Sequence, residues 1–379
     1  MTSSFSYWEK QHFFSSDVLI IGSGIVGLTA AIALKTKAPS LRITVLERGF
    51  LPAGASTKNA GFACFGSISE LIEQEKKCGA DGLYQLISRR WKGLLKLRSL
   101  LGDKHLGYHC LGGYELFKSE EEAAAQFSVS KMEHFNALIS DIVLEKKAFM
   151  QAGHKISGLG LHDIHTLIEN KLEAQIDTGL MMRSLLKLAA GVGVLILNNC
   201  TVETINGLNR GVSLHSSQGD FQTKKVLLTT NAFIRDFFPS LDVEPGRGQV
   251  IITNPIPGLK LKGTFHYDRG FYYFRNIDNR VLLGGGRNLN FEAEKTTEFG
   301  ETPVVQQKLI SLLKSIILPG RDFEIEQKWS GIMAFGNTLD PLIKELNPDI
   351  FCAVRCNGMG IAMGSQTGED AAEMLLKSL

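Results

Sequence analysis

Three glycines and an acid carry the clearest chemistry in the sequence. Gly22-Ser23-Gly24-Ile25-Val26-Gly27 follows a short apolar run and opens a segment rich in small residues. Gly22 suits a tight turn, Gly24 lets the backbone approach a pyrophosphate, and Gly27 permits close packing of a helix on a sheet. A helix starting at this loop offers unpaired N–H groups and a positive partial charge to phosphate. Glu47, followed by Arg48, stands about 20 residues beyond Gly27, at the end of the next apolar run. A carboxylate there accepts hydrogen bonds from an adenosine ribose and repels a 2′-phosphate. The pattern predicts a dinucleotide without that phosphate and does not separate FAD from NAD.

Two further segments have the chemistry of a longer ligand. Ala55-Ser56-Thr57-Lys58-Asn59-Ala60-Gly61 is small and polar, suited to cradle phosphate or a ring edge with backbone N–H groups and the Ser56 hydroxyl. Asn357-Gly358-Met359-Gly360-Ile361 ends an apolar run and begins the last helical segment. Its N–H groups would face negative charge that develops on a reduced cofactor.

With Ser6-Tyr7-Trp8-Glu9, Gly112-Gly113-Tyr114, Arg247-Gly248-Gln249, Gly284-Gly285-Gly286, Trp329-Ser330-Gly331, Thr338-x-Asp340-Pro341 and Asn357-Gly358-Met359-Gly360, the chain resembles the D-amino-acid oxidase superfamily of FAD-dependent oxidoreductases. The pattern is similar to its glycine and sarcosine oxidases and to its γ-glutamylputrescine oxidase-like branch. The resemblance implies noncovalent FAD and oxidation of a C–N bond in an amine or amino acid, by hydride transfer to the flavin. It also implies adenine contacts at Val202 and ribose or phosphate contacts at Thr230 and Asn231. Lys58 stands where relatives carry arginine, and Met333 follows a stretch where relatives that bind small amino acids carry one. No lysine corresponds to the oxygen-activating residue of some oxidases, so the electron acceptor is O2 or another carrier.

On the substrate side, Gly270-Phe271-Tyr272-Tyr273-Phe274-Arg275 alternates, so Phe271, Tyr273 and Arg275 share one strand face and Tyr272 and Phe274 the other. Tyr272, Tyr273, Arg275, His266, Trp329 and Met333 are the candidate pocket residues. No nucleophile or acid-base triad is evident, and hydride transfer to a flavin requires none. Other readings are a nicotinamide-dependent dehydrogenase, a flavoprotein dehydrogenase for a 2-hydroxy acid, and a flavin-binding subunit without its own turnover.

The elements that must position these residues follow from hydrophobic periodicity. Residues 17–22 and 42–47 read as strands buried on both faces, with a helix from Ile25 to Leu34 between them. Helices are predicted over 68–101, 119–150, 179–190, 303–317 and about 360–377, and strands over 111–117, 194–197, 212–215, 224–230 and 349–355. Several β-rich runs fill 247–286. The predicted fold is α/β: a Rossmann-like FAD-binding domain (1–85, 156–238 and 329–379) interleaved with an α+β substrate domain on an antiparallel sheet (86–155 and 239–328).

Composition narrows the partners. The 379 residues are 44% hydrophobic and 21% charged with a net charge of +2, which favours neither nucleic acid nor an anionic membrane. Residues 1–16 lack a signal-peptide pattern, and the apolar stretch Val18–Leu34 is broken by three glycines, so no membrane span is predicted and a cytoplasmic location is expected. The six cysteines are expected to be unpaired, Cys352 and Cys356 included. His162 and His165 lack a surrounding ligand set, so no metal is expected.

Overall fold

A computed structural model describes residues 5–379. The first apolar run becomes the strand Ser15–Ile21, whose side chains alternate between two cores: Val18 and Ile20 face one, Leu19 and Ile21 the other. Each of these four is 6% exposed or less, and burying each contributes about 1.5–3 kcal/mol. Burial on both faces accounts for an unbroken apolar run where a half-solvated strand would alternate. Ser15–Ile21 is central, with Gly219–Leu228 on one side and Ile43–Leu46 on the other, both parallel to it. Leu195–Leu197 and Ile350–Val354 extend the parallel array at its two flanks. Leu342–Asn347 pairs antiparallel with Ile350–Val354, and a hairpin of Val202–Gly207 and Val212–Ser216 joins Gly219–Leu228, completing eight strands. The helices Ile25–Lys37, Gly360–Ser378 and Thr178–Gly191 cover the Val18 and Ile20 face.

A second eight-stranded sheet runs, in spatial order, Ile325–Phe335, Glu244–Thr253, Arg280–Gly285, Tyr272–Ile277, Thr264–Tyr267, Gly113–Phe117, Thr166–Asn170 and Phe149–Gln151. It is antiparallel except where Thr264–Tyr267 runs parallel to Gly113–Phe117. One face packs Tyr272, Phe274, Val281 and Leu283 against the helix Pro303–Leu312 and the π-turn Leu313–Ile317 that follows it.

Several details depart from the periodicity. Thr166–Asn170 and Ile325–Phe335 belong to the second sheet, although the sequence pattern places 156–238 and 329–379 with the first. Pairing with Gly113–Phe117 and with Glu244–Thr253 decides which sheet they join. The predicted helix 119–150 is a 3-10 turn, the helix Glu122–Val143 and the strand Phe149–Gln151. The helix Ile68–Leu101 breaks at Gly79. Tyr7–Phe13 is an additional helix, begun by a capping box in which the Ser6 and Glu9 side chains each accept the other's backbone N–H.

Candidate active site

The strand Ser15–Ile21 delivers the glycine loop to the end of the first sheet. There Gly22 N–H donates to Leu46 O at 2.8 Å, and Gly22 adopts φ +105°, which a side chain would resist. A Cβ at Gly27 would overlap Gly22 O and come within 2.6 Å of Thr229 Oγ1. Thr229 Oγ1 donates to Ile21 O and Gly22 O at 2.9 and 3.0 Å, so the Thr229–Asn231 turn locks the loop from the neighbouring strand.

Glu47 is fixed by the same loop. Its Oε2 accepts from Ser23 N–H at 3.1 Å and Ser23 Oγ at 2.7 Å, and its Oε1 accepts from Gly49 N–H at 3.0 Å. A carboxylate has about four acceptor sites, so capacity remains for a ribose hydroxyl. At the start of the Ile25–Lys37 helix, Ile25 N–H donates to Ser56 Oγ at 3.0 Å. Ser56 lies on the short helix Ala55–Lys58, which Asn59 organises from behind. Asn59 Nδ2 donates to Ala55 O and Ser56 O, and its Oδ1 accepts from Gly61 N–H and Thr178 Oγ1.

The turn before the last helix forms the opposite wall. Asn357, at φ +48°, uses its side-chain amide to hold Thr338 O and Leu339 O at 3.2 and 3.1 Å. Gly358 to Ile361 then line a cavity of about 500 Å3 that also reaches the glycine loop, residues 54–62 and Val202. Gly22, Gly24, Ile25, Val26, Glu47, Arg48, Ala55, Ser56, Lys58, Asn59, Ala60, Gly61, Val202, Thr230, Asn231 and Asn357 through Ile361 all border it. Ser23, Gly27 and Thr57 do not: Ser23 bonds Glu47, Gly27 packs the loop, and Thr57 Oγ1 donates to Pro52 O at 2.7 Å.

A family model described as FAD dependent oxidoreductase, DAO, matches residues 17–374. The chain belongs to this family. The probable oxidoreductase OrdL of Haemophilus influenzae is 22% identical over 393 residues, covering 95% of this chain and 83% of that one. Among solved structures, L-proline dehydrogenase from P. horikoshii matches with a TM-score of 0.75 at 17% identity, over 96% of this chain and 94% of that one. Glycine oxidase from Geobacillus kaustophilus matches with a TM-score of 0.75 at 20% identity, over 95% of each chain. These two are likenesses of fold. The cofactor of the family is FAD, and the chain is an oxidoreductase.

The cavity's donors suit that cofactor. Thr230 Oγ1 borders it, is buried and has no hydrogen-bond partner. The cavity is bordered by the glycine loop at residues 22–26 and by Gly248, Tyr273 and Gly331 of the second sheet. Among the described residues no helix is long and apolar enough to cross a membrane, and all six cysteines are free.

The substrate-side candidates divide. Tyr273, His266 and Met333 line the cavity; Tyr272, Arg275 and Trp329 do not. Tyr272 points into the core beneath the second sheet. Arg275 shares the Phe271–Tyr273 face but lies beneath the Gly61 turn. There its Nη1 donates to Ile176 O at 2.9 Å and Gly61 O at 3.4 Å. Burial pulls its pKa down to about 10, against the opposing pull of Asp177 and Asp278. Trp329 Nε1 donates to Lys58 O at 3.0 Å and so braces the short helix Ala55–Lys58. Both are positioning residues and not pocket residues.

An acidic cluster around His266 escaped the sequence pattern because its members come from distant segments. His266 Nε2 and Glu173 Oε1 are 2.7 Å apart, and Glu173 Oε1 also accepts from Thr264 Oγ1 at 2.7 Å. Glu70 Oε2, which caps Ser67 N–H, lies 3.7 Å from His266 Nδ1. Burial alone would depress the imidazole, but Glu173, Glu70 and Glu115 raise its pKa to about 9. Cys64 borders the same cluster; burial, Glu173 and Glu70 push its thiol well above the ordinary range. Cys64, Glu173 and His266 have potential ligand atoms within 4.8 Å of one another. Glu173 Oε1 is already committed to Thr264 and His266, and Cys64 is held as a neutral thiol, so the group is a hydrogen-bonded cluster. His162 and His165 take no part in it, and His165 pairs with Glu122 at 3.0 Å.

Proposed function

We propose that the chain oxidises a C–N bond of an amine or amino acid. The observation that carries this reading is one continuous cavity whose far end is bordered by His266 and Glu70. FAD, held by the glycine loop, Glu47, Ser56, Thr230 and the Gly358–Ile361 turn, would supply the hydride acceptor. The chain's own residues orient the substrate, keep out water and manage the amine proton. Glu70 Oε2 caps the long helix, which leaves Oε1 beside Gly270 to bind a substrate ammonium and take its proton. A neutral amine is the form that gives up hydride. His266, protonated between Glu173 and Glu70, orients the Glu70 carboxylate. Tyr273, Phe62 and Met333 wall this end with apolar surface, where electrostatic attraction is stronger than in water. The electron acceptor is O2 or a carrier, and the free thiols fit the reducing cytoplasm.

The test is an anaerobic screen of the purified yellow protein against amines, amino acids, N-methyl amino acids and 2-hydroxy acids, following loss of flavin colour. Bleaching by an amine or amino acid supports the reading. A protein that cannot be loaded with FAD overturns it, as does bleaching by 2-hydroxy acids alone; no bleaching at all points to a flavin-binding subunit. Repeating the positive reaction in air distinguishes O2 from a carrier.

A further inference from the structure

Arg275 lies beneath the cavity wall as a charge without a counter-charge. It is 3% exposed. Its Nη1 donates to two backbone carbonyls, Ile176 O and Gly61 O, and its Nε is buried with no partner. Among the described residues no carboxylate forms an ion pair with it. Asp177, whose field reaches it, caps Leu180 N–H at 2.8 Å, and Asp278 is exposed. The residue opposite Arg275 on the next strand, Leu282, belongs to an apolar cluster with Ala60, Val250 and Tyr273. Burial lowers the Arg275 pKa to about 10, so the guanidinium stays charged at neutral pH. An unpaired ion in such surroundings is costly, and a ligand that brings negative charge to it would offset that cost.

The other buried arginines among the described residues are engaged elsewhere. Arg247 pairs with Glu294 at 2.8 Å, and Arg355 pairs with Asp242. Arg90 donates to Phe65 O and Gln74 Oε1, neither of which borders the cavity. Gly61 does border it. A Cβ at Gly61 would come within 3.0 Å of Arg275 Nη1, and Gly61 takes φ +76°, so the glycine is what admits the guanidinium. Gly61 also stands where the ring of the cofactor must pass. Ser56, earlier in the same segment, accepts from Ile25 N–H beside the glycine loop. Phe62, the next residue, sets its ring 5.4 Å from His266 and 5.7 Å from Tyr273 at the substrate end. A cofactor with its nucleotide at the first and its reacting ring at the second runs along this segment.

We propose that Arg275 is a fixed positive charge that favours the reduced cofactor, acting through the Gly61 turn and without touching substrate. When the flavin takes the electron pair from a substrate, negative charge develops on its ring. A cation held behind the turn stabilises that charge, whereas the neutral oxidised ring gains less. The apolar surroundings leave the attraction less screened than water would. Two carbonyls already fix the guanidinium, so reduction requires no reorganisation there. Arg275 therefore raises the midpoint potential of the bound cofactor. The proposal rests on the cofactor of the family and not on the proposed C–N oxidation.

Spectroelectrochemical titration of the FAD-loaded protein reads the two-electron midpoint potential, and flavin fluorescence quenching reads the affinity for oxidised FAD. Arg275→Met is expected to lower the potential by about 30 mV or more, equivalent to a tenfold change in the relative affinity for reduced and oxidised FAD. Arg275→Lys keeps the charge and loses the planar fork. Below neutral pH, where a buried lysine keeps its proton, its potential should lie nearer to wild type than to Arg275→Met. An unchanged potential in Arg275→Met overturns the proposal, even if FAD binds more weakly. Bracing of the Gly61 turn, or a contact to the cofactor phosphates, would weaken both redox forms alike. An equal drop in Arg275→Lys and Arg275→Met also overturns it, because the fork and not the charge would then set the potential. Should Arg275→Met fail to fold, Arg275→Gln is compared with Arg275→Lys by the same criterion. The potential is read without substrate, so a failed amine screen would overturn the C–N reading and leave this result standing.

Discussion

Two polar side chains on the cavity wall, Glu47 and His266, each invite a single substitution. Glu47 accepts from Ser23 and Gly49 and faces the cavity. Glu47→Gln keeps the shape but replaces an ionised acceptor with a neutral amide, so FAD affinity should fall about tenfold, read from quenching of flavin fluorescence. His266 reports through pH. Its folded pKa of about 9 lies above the ordinary 6.5, so the folded protein binds the proton more tightly than the unfolded chain does. The resulting stabilisation is complete below pH 6.5 and is lost as pH rises through 9. The thermal midpoint of wild type relative to His266→Gln should therefore fall between pH 6.5 and pH 9. A pH-independent difference would show that the imidazole is not held protonated by Glu173.

At the scale of elements, glycines and side chains that brace backbone turns set the site. Gly27→Val would drive a branched side chain into Gly22 O and Thr229 Oγ1. A loss of about 1–3 kcal/mol is expected from overpacking, measured by urea unfolding, together with loss of FAD binding. Trp329→Phe removes the donor to Lys58 O. It should cost about 1 kcal/mol and weaken FAD binding. The glycine loop, Glu47 and the 357–361 turn were legible in the sequence because each depends on local chain geometry: a turn, a strand end, a helix start. The Phe271–Tyr273 face was legible for the same reason, since alternation is a property of one strand. Arg275 and Trp329 were not, because the register of a strand against its neighbours decides which position reaches the cavity and which ends beneath a turn. The membership of Thr166–Asn170 and Ile325–Phe335 in the second sheet was hidden likewise, pairing being a long-range property. The His266 cluster joins residues 64, 70, 115, 173 and 266, and no window of sequence contains it.

The two sheets have separate hydrophobic cores, and the cavity is bordered by both: Gly22, Glu47 and Thr230 from the first, Gly248, Tyr273 and Gly331 from the second. A ligand that fills it binds only the folded arrangement of the two, so FAD should couple their unfolding. Mass action sets the size of the effect: FAD at 100 times its dissociation constant adds about 2.7 kcal/mol. Two of the protein's tryptophans report on different regions. Trp91 packs against the core that faces the Ile25–Lys37 helix, whereas Trp329 lies on the second sheet. Single-tryptophan proteins that retain one or the other should each show a thermal midpoint that rises with the logarithm of FAD concentration. A rise confined to the Trp91 probe would mean that FAD engages the first sheet alone. The cavity wall formed by Gly248, Tyr273 and Gly331 would then lie outside the cofactor's reach.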